Sequence, residues 1–327
     1  MQARAHKYLT AFWQWAKPFI EEPLPQTTTH CCALQIKTKE ILLTSLNKIG
    51  NTTQIDFCET IPYDDVDNLP FVLSHVVKQY HLSTVPVNWL LTSQDYQLFL
   101  IESLPVKAEE LKEAVNWRVR SLITYPMNEA VIDYFRLPLK KELATESPLV
   151  VAVVSKKNYL QTILPLFQTS ELHVAAIDIP ELALRNLSAL YENDEKSIAF
   201  LYFYDNMAVL NITRQKILYF TRDINLAIEK EQSDKQLFDY EKISLDILRY
   251  FDYYQSQWRH PSPSHMYIAA ENSDVEIIAK SLSSYLDVFI QPYSLPSVFS
   301  SQKDINTIEK KYLLTIGGAL REMPNHV

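Results

Sequence analysis

Three glycines in 327 residues, Gly50, Gly317 and Gly318, constrain this chain more than any other feature of its sequence. An average share of roughly 7% would give about twenty. Phosphate-binding loops need glycine, because their backbone N–H groups must turn inward and a Cβ blocks close approach to the phosphate. Neither a GxxxxGK[ST] loop nor a GxGxxG fingerprint can be written from these three positions. A GxSxG nucleophile elbow is excluded for the same reason. Turns must be built from Asn, Asp, Ser and the 17 prolines instead.

With 47% hydrophobic residues the chain can bury a full core, and its length predicts two domains or one two-lobed domain. A net charge of -8 argues against a dedicated nucleic-acid binder, which needs a basic face. Three cysteines make no disulfide framework, and the adjacent Cys31 and Cys32 give no CxxC spacing, so we read them as reduced core thiols with no metal. The eight histidines are scattered. No run of about 18 apolar residues occurs and no signal-peptide pattern opens the chain, so the expected location is the cytoplasm.

Residues 1–22 place Tyr8, Leu9, Phe12, Trp13, Trp15, Ala16, Phe19 and Ile20 at helical spacing among Arg4, Lys7 and Lys17. Two readings are open: an interfacial helix with Phe12, Trp13, Trp15 and Phe19 as membrane contacts, or a helix packed on its own domain. Strand patterning follows at 33–36, 41–46 and 55–61, then a helix at 69–80 and strands at 87–91 and 97–101. Helices are expected at 108–122, 158–168 and 180–191, with strands at 130–137, 149–154 and 174–177. A second three-strand meander occupies 198–204, 208–213 and 217–221. A long helix at 237–258 follows, then a strand at 266–269, a helix at 274–285, a strand at 288–290 and a last helix at 313–320. Two similar β-β-β-α halves predict a duplicated, two-lobed α/β protein of the actin-like fold. The expected divisions are an N-terminal helix and linker (1–26), a first lobe (27–195) and a second lobe (196–327).

Four stretches carry a family resemblance. The first is Leu104-Pro105 with the helix bearing Glu110, Ala114, Trp117 and Arg118, and the turn from Ile123 to Pro126. The second runs from Ala175 through Asp178 and Glu181 to Arg185. The third is the helix from Ile243 through Arg249 and Asp252 to Tyr254. The fourth is Thr315-Ile316-Gly317-Gly318-Ala319-Leu320-Arg321. In order and spacing they resemble the PilM/MshI family of actin-like proteins of type IV pilus assembly, in particular of the mannose-sensitive haemagglutinin (MSHA) type. The resemblance covers residues 30–321.

The resemblance implies an actin-like ATPase fold and a scaffold on the cytoplasmic face of an inner membrane, peripheral to it. The implied partner is a single-pass, PilN-like membrane protein whose N-terminal tail docks on the first lobe. Trp117, Arg118 and Arg120 are the candidate contacts. Where nucleotide-binding relatives carry a DxGxxxxK turn, this chain has Ala33-Leu34-Gln35-Ile36-Lys37-Thr38-Lys39-Glu40, without the acid or the glycine. The DxG loop corresponds to 201–206, where Asp205 is a displaced acid. The glycines of a third loop are replaced in 222–227. Gly317 and Gly318 remain, open to either close packing or nucleotide contact. Mg-ATP needs carboxylates for the metal and a backbone cradle for the phosphates, so we expect a degenerate site, no hydrolysis and no required cofactor. The alternatives are an ATP-binding conformational switch of the same machinery and the actin-like part of a type II secretion platform.

Overall fold

The computed structural model describes residues 30–102, 106–107, 109–138, 149–192, 196–204, 207–226, 228–229, 237–301, 308 and 310–321. Within them two meanders fix the architecture. In the first half, β1 (His30–Ile36), β2 (Glu40–Ile49) and β3 (Thr52–Pro62) pair antiparallel. The apolar residues of β1 and most of those of β2 are buried on both faces, so the sheet is a middle layer. Helix α1 (Leu69–Gln79) leads into β4 (Val87–Leu90), which lies parallel to β1.

An insertion follows: β5 (Tyr96–Glu102), α2 (Leu111–Val119), β6 (Ala130–Arg136), β7 (Leu149–Lys156) and α3 (Lys157–Thr169). Its strands form a separate antiparallel sheet, ordered β5-β7-β6. Leu111, Val115 and Val119, spaced four apart on α2, pack on Val150, Ala152 and Val154 of β7. The chain returns through β8 (Val174–Asp178), parallel to β4, and α4 (Pro180–Ser188).

The second half repeats the plan. Strands β9 (Ile198–Tyr204), β10 (Met207–Arg214) and β11 (Ile217–Asn225) form the meander. The short pair β12 (Ile228–Glu229) and β13 (Leu237–Phe238) precedes α5 (Tyr240–Trp258). Then come β14 (His265–Ala270), α6 (Val275–Leu282), β15 (Phe289–Pro292), β16 (Phe299–Ser301) and α7 (Leu313–Ala319). The sheet orders, β16-β3-β2-β1-β4-β8 and β11-β10-β9-β14-β15, share one topology, and β16 adds to the first sheet's edge.

Two of the differences from the sequence reading have a local physical reason. The long helix starts at Tyr240 because Asp239 caps it, its carboxylate accepting the Lys242 N–H at 2.9 Å, while Leu237 and Phe238 pair as a strand. Strand β16 was not anticipated: three residues carry no periodicity, and parallel pairing with β3 fixes them.

Helices α4 and α7 hold equivalent places in the two halves and exchange partners. Helix α4 packs on β9, β10 and β11, whereas α7 packs on β1, β2 and β4, and the two touch each other. One core therefore runs through both sheets, from Ala33, Leu42 and Leu90 through Ala183 and Leu187 to Phe200 and Tyr202.

Candidate functional site: the cleft between the two sheets

A cleft of about 400 Å³ opens where the C-terminal ends of β1 and β9 face each other. Its walls come from the β1–β2 turn, the 92–95 turn, Tyr63, Val66 and Leu69, Tyr159 and Ile163 of α3, and Tyr204, Glu271 and Leu314. This is within the size range of small-molecule pockets.

The β1–β2 turn is fixed by its own half. The Lys37 N–H donates to the Glu40 carbonyl at 2.8 Å, and the Tyr63 hydroxyl donates to the Lys37 carbonyl. Lys39 Nζ donates to the Asp64 carbonyl at 2.6 Å. Opposite, Glu271 follows β14 directly. Its Oε2 accepts Lys37 Nζ at 2.7 Å and its Oε1 accepts the Tyr202 hydroxyl at 2.9 Å. The Glu271 side chain is 4% exposed and that of Lys37 24%.

Asp95 is held within its turn, accepting the Thr92 N–H at 2.6 Å and the Thr92 hydroxyl at 2.7 Å. Burial raises its carboxyl above the ordinary range, against the lowering effect of these bonds. Burial also raises the Tyr159 hydroxyl, and the neighbouring Asp95 adds to it. Gln35 is buried on the cleft wall. Its Nε2 donates to the Leu91 carbonyl at 3.1 Å, and its Oε1 has no partner among the described residues.

Behind the cleft, at the start of α4, Glu181 is 1% exposed. The Tyr96 hydroxyl lies 2.9 and 2.8 Å from its two oxygens, and Asn211 Nδ2 donates to its backbone carbonyl at 2.7 Å. Burial pushes its carboxyl up to about 8, with the Asp223 and Asp178 charges adding to the shift. Asp178, at the end of β8, accepts Arg321 Nη1 at 2.8 Å, and both side chains are largely buried.

The glycine pair lies inside α7, fully buried. A Cβ on Gly317 would stand 2.4 Å from the Ala183 carbonyl oxygen of α4, and one on Gly318 would stand 3.2 Å from Ala33 Cβ. Asn186 Nδ2 donates to the Gly317 carbonyl at 2.8 Å and Asn88 Nδ2 to the Gly318 carbonyl at 2.9 Å. The helix crossing accounts for glycine at 317, and the close packing of α7 on β1 and β4 accounts for it at 318. Neither glycine lines the cleft.

Trp117 is 64% exposed on the outer face of α2, with the Arg118 guanidinium 5.4 Å from its ring centroid, and Arg120 is exposed beside them. These three form one surface group, and none of them lines the cleft. Tyr254 is buried, Tyr250 is half-buried and Tyr253 lies at the surface, so the tyrosines of α5 mainly build core. Asp205, Phe12, Trp13, Trp15 and Phe19 lie outside the described residues. The sequence reading named neither Glu271 nor the Glu181–Tyr96 pair as site residues. A lone acid directly after a fully buried strand was the available signal for Glu271.

These residues do not fit a magnesium–triphosphate group. The turn that would approach the phosphates has no glycine, the Glu271 carboxylate is engaged by Lys37 and Tyr202, and Gly317 and Gly318 are spent on packing. Among the described residues no three His, Cys, Asp or Glu side chains converge.

The halves, their common topology and the crossed helices define the class: this is an actin-like fold. A chain of the PilM–PilN type IV pilus biogenesis complex matches it with a TM-score of 0.67 at 14% identity, over 90% of this chain and 98% of that one. At such identity the likeness is one of fold. Two looser matches are a Bacteroides thetaiotaomicron protein with an actin-like ATPase fold and unknown function (TM-score 0.47, 12% identity, 83% of this chain and 94% of that one) and the cytoplasmic domain of EpsL, an inner-membrane component of the Vibrio cholerae type II secretion system (0.48, 10%, 90% and 96%). No family model and no curated protein sequence matches the chain.

Proposed function

We propose that this protein is a non-enzymatic, actin-like scaffold of a type IV pilus assembly platform, of the MSHA type. It binds the cytoplasmic N-terminal tail of a PilN-like membrane protein. The observation that carries this reading is the match in fold to a chain of the PilM–PilN complex along nearly the whole of both chains. The order of the four sequence stretches supports it independently. The cleft supports the non-enzymatic part, since the Glu271 carboxylate that lines it is engaged by Lys37 and Tyr202. No helix among the described residues is long and apolar enough to cross a membrane, and the amphipathic segment 1–22 would supply peripheral contact.

The test is affinity purification of the full chain from gently solubilised inner membranes, read by mass spectrometry. Recovery of a single-pass protein with a short cytoplasmic N-terminus, together with pilus assembly components, is the expected result. Recovery of soluble metabolic proteins alone would overturn the assignment. Calorimetry with Mg-ATP tests the cleft separately: micromolar binding would favour the nucleotide-switch alternative.

A further inference from the structure

The halves meet at two levels. At the base, α4 and α7 cross with Gly317 against the Ala183 carbonyl, a contact too close for any larger residue. At the cleft, Lys37 reaches Glu271 from the opposite half. Each partner is anchored at home before it reaches across. The Lys37 backbone is held by Glu40 and Tyr63. Glu271 is held by its own N–H, which donates to the Phe203 carbonyl at 3.0 Å, and by the Tyr202 hydroxyl on Oε1. Only Oε2 is turned to the ammonium. A carboxylate 4% exposed is unlike one in a solvated surface pair, because separating the partners leaves a buried charge without compensation. On the wall of the same cleft the buried Gln35 Oε1 has no partner among the described residues.

We propose that Lys37 and Glu271 form a latch that ties the two halves together across the cleft with the chain's own charges, so that any widening of the cleft must first break this pair. The crossing of α4 and α7 is the fixed end and the ion pair the releasable one. The latch does not depend on the identity of the membrane partner.

Hydrogen exchange of the full chain tests it, following peptides that cover 37–40 and 271–274, with the α4 and α7 peptides as the internal reference. Lys37→Met and Glu271→Gln should each speed exchange about tenfold in both segments while α4 and α7 stay protected. The double charge swap, Lys37→Glu with Glu271→Lys, should restore protection. Acceleration confined to the mutated side, or none at all, would overturn the proposal. If the swapped variant fails to fold, Lys37→Arg decides instead, since it keeps the cation opposite the buried Glu271 carboxylate and should leave both segments protected. Acceleration in Lys37→Arg as large as in Lys37→Met would overturn it equally.

Discussion

Replacing Glu181 by Gln should abolish much of the pH dependence of stability between about pH 4.5 and 8. The buried carboxyl titrates at about 8 against 4.5 for a free one. Across that window the folded chain keeps a proton that the unfolded chain has released. Stability is therefore full below the unfolded value, falls as pH rises through the window, and levels off above about 8. At about 1.4 kcal/mol per pH unit, the span amounts to roughly 5 kcal/mol withheld from the folded state above pH 8. Gln keeps an acceptor for the Tyr96 hydroxyl but adds N–H groups that need partners, at a cost of about 2 kcal/mol. The variant should thus be more stable than wild type by about 3 kcal/mol at pH 8.5, about 4 °C in melting temperature, and weaker at pH 4.5. Thermal unfolding followed by circular dichroism at half-unit pH steps measures this. Taking the difference between the two proteins cancels the other titrating groups. Parallel profiles for wild type and variant, or a variant weaker at pH 8.5, would refute the assignment of a neutral carboxyl at this site.

Three further outcomes follow from the geometry. Gly317→Ala should cost about 3 kcal/mol or more in urea unfolding, since the Cβ would meet a backbone carbonyl that cannot swing away, whereas Gly318→Ala, facing a side-chain methyl, should cost about 1 kcal/mol. Arg321→Met leaves the buried Asp178 carboxylate without its partner and should lose about 3–5 kcal/mol, with much of that recovered in the double variant with Asp178→Asn. Trp117→Ala should leave stability within about 0.5 kcal/mol, because the ring is exposed. It should weaken binding of the partner's tail peptide by at least about tenfold in fluorescence anisotropy, and unchanged binding would remove Trp117 from the docking surface.

The elements were legible where one local pattern was enough. The meander strands alternate or run apolar because helices cover both faces of each sheet, and α5 shows its face in Ile243, Ile247, Phe251 and Tyr254. Duplication could be read because the order of elements repeats, and order is a property of the chain. What escaped was short or held by a cap: β16, with too few residues for a period, and the start of α5, where one aspartate decides between strand and helix.

The candidate site divides in the same way. Scarcity of glycine is a fact of composition, and from it the sequence alone rules out the standard glycine-rich phosphate loops, since a Cβ stands wherever the backbone would have to approach. Where the glycines that remain are used was a tertiary decision: Gly317 sits where two helices from different halves cross, 134 residues from Ala183 (317 minus 183), and Gly318 packs on Ala33 of β1. The pairing of Lys37 with Glu271 and the neutral carboxyl of Glu181 were likewise beyond local reading. Both depend on side chains brought together across long loops and on removal of water around them, and neither distance nor desolvation is written in the spacing of residues along a chain.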